Sequence, residues 1–148
     1  MATLYIWLKF IHVLSVGGFL FVHGIAGGTA FLLRAPITAT TRGLLRMSQV
    51  TAQASNPFLL LIIITGVWMT FAGHWSGQVW PWAALVLLVA TIGFMFYVAR
   101  PYYQARDAAG GPDAALATHL SSTRPQLAAG VGGVALLLLI VLMVFKPF

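Results

Sequence analysis

The chain is built from long apolar runs separated by shorter polar segments. A helix needs about 20 mainly apolar residues to cross a bilayer. The pattern predicts four spans, at about 5–33, 44–73, 80–99 and 124–145. The N-terminus shows no basic stretch followed by a cleavage site, so we expect the first run to be a retained span. The sequence therefore predicts an all-α integral membrane four-helix bundle that forms one domain over residues 1–148.

The second span carries Asn56-Pro57 ahead of its apolar core at 58–72. That core alone is short for a span, so we expect the helix to begin near Gly43 and to pass through Pro57. A proline inside a helix removes one backbone hydrogen bond, and neighbouring helices in a membrane can satisfy the freed carbonyl group. The pattern predicts a kink near Pro57.

Arginine is concentrated in two of the three connections between the spans. Three arginines lie within 34–46 and three within 100–124, whereas the connection at 73–78 has no formal charge. The positive-inside rule therefore predicts that the first and third connections are cytoplasmic and that both termini are outside. Four tryptophans mark the predicted outer boundary, as in an interfacial aromatic belt: Trp7, Trp75, Trp80 and Trp82.

The composition supports a chain whose solvent is lipid. Hydrophobic residues make up 60% of the sequence and charged residues 7%, and Asp107 and Asp113 are the only acids. A soluble domain could not cover its surface with so few charges. The net charge of +6 is explained by topology and anionic lipid rather than by nucleic acid. The absence of cysteine excludes disulfides and thiol chemistry by the protein itself.

The first span carries polar residues on one face. His12, His23 and Arg34 are spaced eleven residues apart, and at about 100° per residue this spacing places them along one face of a helix. An ionisable group in hydrocarbon is a functional hypothesis by default. The alternative is structural, because a neutral imidazole can hydrogen-bond a carbonyl or hydroxyl group of a neighbouring helix. Both interpretations remain open at this point.

Glycines form a second face of the same span. Gly17, Gly24 and Gly28 predict a close approach of a neighbouring helix, since small residues let backbones pack tightly in membranes. The Gly130–Gly133 segment of the fourth span predicts another close approach, with the first span as its candidate neighbour, and the alternative is that it makes room for a flat ligand.

The side chains available limit the chemistry. The spans hold no carboxylate, and the chain has no nucleophile triad, HExxH motif or phosphate-binding glycine loop. Imidazole remains, and in a helix bundle it commonly ligates the iron of haem. The candidate cofactor-binding residues are His12, His23, His74 and Arg34, and the three histidines are the candidate metal ligands.

Two histidines of one helix that are eleven residues apart lie about 16 Å apart along its axis, too far to share one iron. Each therefore needs its own partner. For His12 the candidates are His74, Met69 and Met143; for His23 they are Met95 or a second subunit. We expect His119, in the charged connection, to be solvated.

Three segments carry a family resemblance: the opening Tyr5–Val16 with Trp7, Lys9 and His12, the Asn56-Pro57 before Gly66-Val67-Trp68, and the ending Val141–Phe148. The chain resembles a group of small four-helix membrane proteins that includes HemJ-type protoporphyrinogen oxidases and the membrane domain of copper-resistance protein D. In the HemJ-type enzymes a first-helix histidine is a haem ligand, and the resemblance implies the same role for His12. The third span lacks the lysine and histidine pair of the oxidases.

These observations lead to one main expectation and several alternatives. We expect a b-type haem protein of a bacterial cytoplasmic membrane that transfers electrons to or from quinone or a partner redox complex, as an electron-transfer subunit rather than a stand-alone enzyme. Its expected partners are lipid, further copies of itself or a larger membrane redox complex. The alternative is a non-catalytic structural or assembly subunit, and weaker alternatives are a HemJ-like oxidase and a chlorophyll-type pigment protein.

Overall fold

A computed structural model describes residues 2–33, 37–122 and 124–146, and these residues form helices joined by short turns. In chain order the helices are α1 (Ala2–Leu32), α2 (Ala39–Ala72), α3 (Val79–Val98), α4 (Arg100–Asp107), α5 (Asp113–Ser122) and α6 (Pro125–Phe145). A short 3₁₀ helix, Ala108–Gly110, joins α4 to α5. No strand occurs in the described ranges.

Four of the described helices, α1, α2, α3 and α6, are long and apolar enough to cross a membrane. This confirms the predicted all-α membrane bundle, and the helix ends fall within a few residues of the predicted ones except at the start of α2. That helix begins at Ala39 because Thr38 caps it: the Thr38 hydroxyl accepts from the backbone N–H of Thr41, and Thr41 returns the contact. α2 passes through Pro57, as predicted. The kink near Pro57 remains a prediction.

The spans pack mainly as two pairs. α1 lies along α2 and α3 lies along α6, while α1 also contacts α6. Large apolar side chains remain exposed on the outside of the bundle, for example Phe21 on α1, Val86 on α3 and Leu137 on α6. An apolar surface of this extent suits hydrocarbon rather than water. Lipid therefore contacts these outward-facing side chains, which in a soluble protein would be buried in a core.

The connection between α3 and α6 is folded rather than flexible. Its helices pack on the adjoining ends of α1 and α2 and enclose the main buried cluster, which consists of Ala30, Leu33, Leu45, Tyr102, Ala105, Ala109 and Leu116. Arg42 on α2 binds the helices of this connection by donating to the backbone carbonyl of Ala109 and to the carboxylate of Asp113. We call α4, the 3₁₀ helix and α5 the cap layer. The glycine-rich sequence at 108–112 gave no sign that Ala109 would be buried.

The predicted close approach of another helix of the same chain to Gly17, Gly24 and Gly28 is wrong. A Cβ added at Gly17, Gly24 or Gly28 would meet nothing within 4 Å, so these positions face away from the neighbouring helices. The close approach occurs one position along, at Gly18, where a Cβ would lie 2.6 Å from the Phe58 ring of α2. The rotation of α1 about its own axis decides which glycine faces α2. Packing sets that rotation, and glycine spacing does not.

The fourth-span glycines pack against a different partner from the expected one. Gly132 is buried against Met95 of α3, whose Cε would lie 3.6 Å from a Cβ added at that glycine. Within the described ranges, no atom lies that close to a Cβ added at Gly130 or Gly133. Met95, a candidate partner for His23, therefore fills space between α3 and α6.

Candidate functional site

A cavity of about 470 Å³ lies among the four spans, at the end of the bundle away from the cap layer. Its walls are mostly aliphatic and aromatic side chains of α1, α2, α3 and α6. Polar groups that line it include the imidazole of His12, the hydroxyl of Thr70 and the ammonium groups of Lys9 and Lys146. A few polar groups on an apolar wall, in a space of this size, are typical of cofactor and small-molecule sites.

His12 is held by one hydrogen bond to the opposite helix. Its Nδ1 lies 2.9 Å from Oγ1 of Thr65 on α2, and the imidazole is buried. The Thr65 hydroxyl donates its proton to the Leu61 carbonyl of its own helix. With the Thr65 proton on that carbonyl, the Thr65 oxygen is the acceptor for His12, and Nδ1 then carries the ring proton. The backbone carbonyl of Ile62, another acceptor on α2, also interacts with this imidazole.

This arrangement leaves Nε2 as the unprotonated nitrogen, with its lone pair available to a ligand. A metal-ligating histidine commonly donates its other ring N–H to a carboxylate, carbonyl or water, which fixes the tautomer and the ring orientation. A carbonyl or hydroxyl group of a neighbouring helix was expected as the partner of the imidazole, and the hydroxyl of Thr65 is that partner. Gly66 makes room for the ring, since a Cβ there would lie 3.3 Å from Cε1 of His12.

The open end of the cavity is positively charged and aromatic. Nζ of Lys146 lies 4.3 Å from the ring centroid of Trp75 and 5.4 Å from that of Trp80. The two indoles pack edge to face, and Lys146 closes α6 in a left-handed conformation. Neither Lys9 nor Lys146 forms an ion pair within the described ranges. The predicted clustering of tryptophans at one end is thus confirmed for Trp75 and Trp80, with two unpaired ammonium groups beside the cavity.

The candidate partners of His12 separate into two groups. Met69 and Met143 line the same cavity as His12. His74 does not line it: this residue is exposed in the turn after α2, in a left-handed conformation with φ of 59°. No group of three or more histidine or acidic residues in the described ranges is arranged to hold a metal ion. Of the candidate partners named from the sequence for His12, Met69 and Met143 remain beside it in this conformation.

His23 lies on the other side of Phe19, which separates it from the cavity. The imidazole stacks on the Phe19 ring with centroids 4.8 Å apart and an interplanar angle of 12°. Its Nδ1 is buried without a hydrogen-bond partner among the described residues. The positive charge of Arg106 on α4 interacts electrostatically with this imidazole. Arg34, predicted on the same face, lies outside the described residues. His119 belongs to the cap layer.

The sequence carries different amounts of information about the residue that contacts His12 and about the polar residues around Arg106. Thr65 could have been found, because it is the only hydroxyl-bearing residue between Pro57 and Met69. Ser48, Tyr102 and Arg106 gave no comparable signal. They come from two helices more than fifty positions apart in the chain, and only the folding of the cap layer brings them together.

Comparison with known proteins identifies a family but no characterised relative. A family model described as "Predicted integral membrane protein (DUF2269)" matches residues 6–147. No curated protein and no solved structure matches the chain.

Proposed function

We propose that this chain, which belongs to the DUF2269 family of predicted integral membrane proteins, is a membrane haem b protein. Its proposed role is to transfer electrons to or from quinone or a partner redox complex. A bacterial cytoplasmic membrane is the proposed location. The observation that carries this proposal is the hydrogen bond from His12 to Thr65, at the wall of the cavity between the spans. With Nδ1 donating to Thr65, the other ring nitrogen, Nε2, would be the one to bind iron.

The surroundings of His12 fit haem in three respects. The cavity volume of about 470 Å³ falls in the range of cofactor sites, and its walls are apolar, as the macrocycle requires. Lys9 and Lys146 line the same space and lack acidic partners, so they can neutralise carboxylate side groups of a bound ligand. Met69 and Met143 offer a thioether, a ligand that raises the potential of haem iron.

Haem supplies one-electron redox chemistry at its iron when it is bound. The chain's own residues bind and orient it. His12 would supply Nε2, Thr65 would hold the ring through Nδ1, and the apolar walls would keep water from the bound group. Second-shell hydrogen bonds and burial are two of the means by which a protein tunes the potential of such a centre.

The likeness of the first span to the HemJ-type enzymes supports the same residue. There a first-helix histidine ligates haem, and His12 occupies the matching Trp-x-Lys-x-x-His context. This support is independent of the cavity, because it comes from the order of residues alone. The oxidase activity is not part of the proposal, since the third span lacks the corresponding lysine and histidine.

The proposal is tested by adding haem to the full chain purified in detergent and following the spectrum during the titration. One haem per chain should bind, and the bound haem should be reduced by an added quinol under anaerobic conditions. His12→Ala should abolish the binding, whereas His119→Ala, which changes the same residue type in the cap layer, should preserve it. Binding without reduction by quinol would support a haem protein but contradict electron exchange with quinone.

A second candidate is a non-catalytic assembly subunit. The observation that favours it is again the contact of His12 with Thr65, because this hydrogen bond satisfies one ring nitrogen and joins α1 to α2 without any ligand. In that case His12→Gln, which can keep a hydrogen bond to Thr65, should leave the protein folded and functional. Under the haem proposal the same variant should fold but lose haem.

A further inference from the structure

A second polar cluster lies at the opposite end of the bundle, where the cap layer meets α1 and α2. At its centre is Arg106 of α4, whose Nη2 donates to Oγ of Ser48 over 2.7 Å. Ser48 reaches the Ala26 carbonyl of α1 at 3.3 Å and the Tyr102 hydroxyl at 2.9 Å. Ala26 lies one helical turn from His23. These contacts join α1, α2 and α4 around one guanidinium group.

Aromatic rings fix the guanidinium plane. Cζ of Arg106 lies 4.5 Å from the ring centroid of Tyr102 and 5.1 Å from that of Tyr103. Arginine stacks in this way where its fork of N–H groups is held ready for a planar or tetrahedral oxyanion. The rings therefore reduce the freedom of a side chain that would otherwise move in the interfacial layer.

Two polar atoms of the cluster lack partners. Nε of Arg106 and Nδ1 of His23 are both buried, and neither hydrogen-bonds another described residue. A buried polar atom without a partner costs about 1–3 kcal/mol, so most such atoms in proteins are satisfied. Arg106 is also close enough to His23 for its charge to act on the imidazole. One ligand with several acceptor oxygens could serve this cluster.

The chain itself has no carboxylate side chain to neutralise Arg106. Its only two acidic residues are engaged elsewhere: Asp113 pairs with Arg42, and Asp107 accepts from the side-chain amide of Gln49 over 3.2 Å. Arg106 forms no ion pair within the described ranges. A half-buried guanidinium without a counter-charge is unfavourable. A counter-anion from outside the chain would offset this cost.

We propose that Arg106, with Ser48, Tyr103 and His23 around it, forms a site for a phosphate group at the predicted cytoplasmic face of the membrane. Arginine binds phosphate through two parallel hydrogen bonds. Basic pockets between spans at this depth are suited to the head groups of anionic lipids. A phosphodiester of a lipid and free inorganic phosphate offer the same oxygens, and the experiment distinguishes them. The site is separate from the His12 cavity and does not depend on haem.

The test uses the full chain in a neutral detergent, with native mass spectrometry to count bound phosphatidylglycerol and thermal unfolding to detect inorganic phosphate. The wild-type chain should retain phosphatidylglycerol in preference to phosphatidylcholine. Arg106→Gln should weaken that retention about fivefold or more, the effect of one well-placed arginine. Arg100→Gln is the matched control, because it removes the same charge from an exposed position of the same helix. It should change retention less than about twofold.

Each outcome bears on the proposal. Stabilisation by phosphatidylglycerol alone assigns the site to a lipid head group, and stabilisation by millimolar inorganic phosphate assigns it to a soluble anion. Two results overturn it. One is equal behaviour of the Arg106 and Arg100 variants, and the other is equal retention of the two lipids by a wild type that inorganic phosphate does not stabilise either. If Arg106→Gln does not fold, Arg106→Lys decides: it keeps the charge but not the fork of donors, so retention should still fall severalfold. Wild-type retention in that variant also overturns the proposal.

Discussion

Thr65 accepts a hydrogen bond from Nδ1 of His12 across the interface between α2 and α1, at 2.9 Å. This direction follows from the contact of the Thr65 hydroxyl with the Leu61 carbonyl, which is an acceptor only and takes the hydroxyl proton. One hydroxyl group in an otherwise apolar stretch thus decides which nitrogen of a buried imidazole is free to bind a ligand.

Replacing Thr65 should affect both folding and ligand binding. Thr65→Val keeps the shape but removes the hydroxyl acceptor of the His12 N–H, which should lower the free energy of unfolding by about 0.5–1.5 kcal/mol. If His12 ligates haem, the same change should weaken haem binding about 10–100-fold, the usual effect of losing a second-shell partner. Thr65→Ser retains the hydroxyl and should stay near wild type in both denaturation and haem titration. Equal haem affinity of the Val and Ser variants would contradict the role of Thr65.

The α1–α2 interface should be sensitive at Gly18 and tolerant at Gly17. A Cβ at Gly18 would lie under 3.0 Å from three atoms of the Phe58 ring, whereas Gly17 has open space. Gly18→Ala should therefore cost about 1–3 kcal/mol through overpacking, measured by denaturation in mixed micelles. Gly17→Ala is the matched control, and Phe58→Leu should partly restore the Gly18 variant. Similar losses at both glycines would show that the helices pack in another rotation.

The cap layer should depend on Leu116. This side chain is 0% exposed and packs in the cluster around Leu45, so Leu116→Ala should cost about 2–5 kcal/mol. Because the cap layer lies outside the spans, the loss should appear as rapid protease cleavage within residues 100–122 while the spans stay protected. Leu127→Ala, at an exposed position of α6, should leave the cleavage rate unchanged. Slow cleavage of the Leu116 variant would show that the cluster contributes little.

The sequence predicted the four spans well because hydrophobic length is a strong signal in lipid, where each backbone polar group must be satisfied within a helix. It identified His12 as a candidate site residue for the same reason, since an imidazole in hydrocarbon is costly. It did not predict the partner of His12, the rotation of α1 that brings Gly18 against Phe58, or the folded cap layer. These features depend on tertiary packing between distant segments, which a pattern along one chain does not encode. The predicted topology, with both termini outside, remains a prediction.

Tyr103 should make the folded protein sensitive to alkaline pH. Burial raises the pKa of its phenol above the usual value of 10.0, while the charge of Arg106 acts in the opposite direction. The folded state therefore holds this proton more tightly than the unfolded state, so the contribution of Tyr103 to stability is present below pH 10 and falls as the pH rises above it. Tyr103→Phe should flatten this fall in melting temperature between about pH 9 and 11. Tyr97→Phe, at an exposed position of α3, should keep the wild-type profile; a Tyr103 variant that does so as well would contradict the prediction.

The most direct test of the haem assignment is the visible spectrum of the full chain purified from haem-replete cells, recorded for wild type, His12→Ala and His119→Ala. We expect a Soret band in wild type and in the His119 variant and its loss in the His12 variant, with circular dichroism showing that all three remain helical. A wild type without a Soret band, or a folded His12 variant that keeps a normal one, would contradict ligation by His12 and leave the hydrogen bond to Thr65 as the structural role of that histidine.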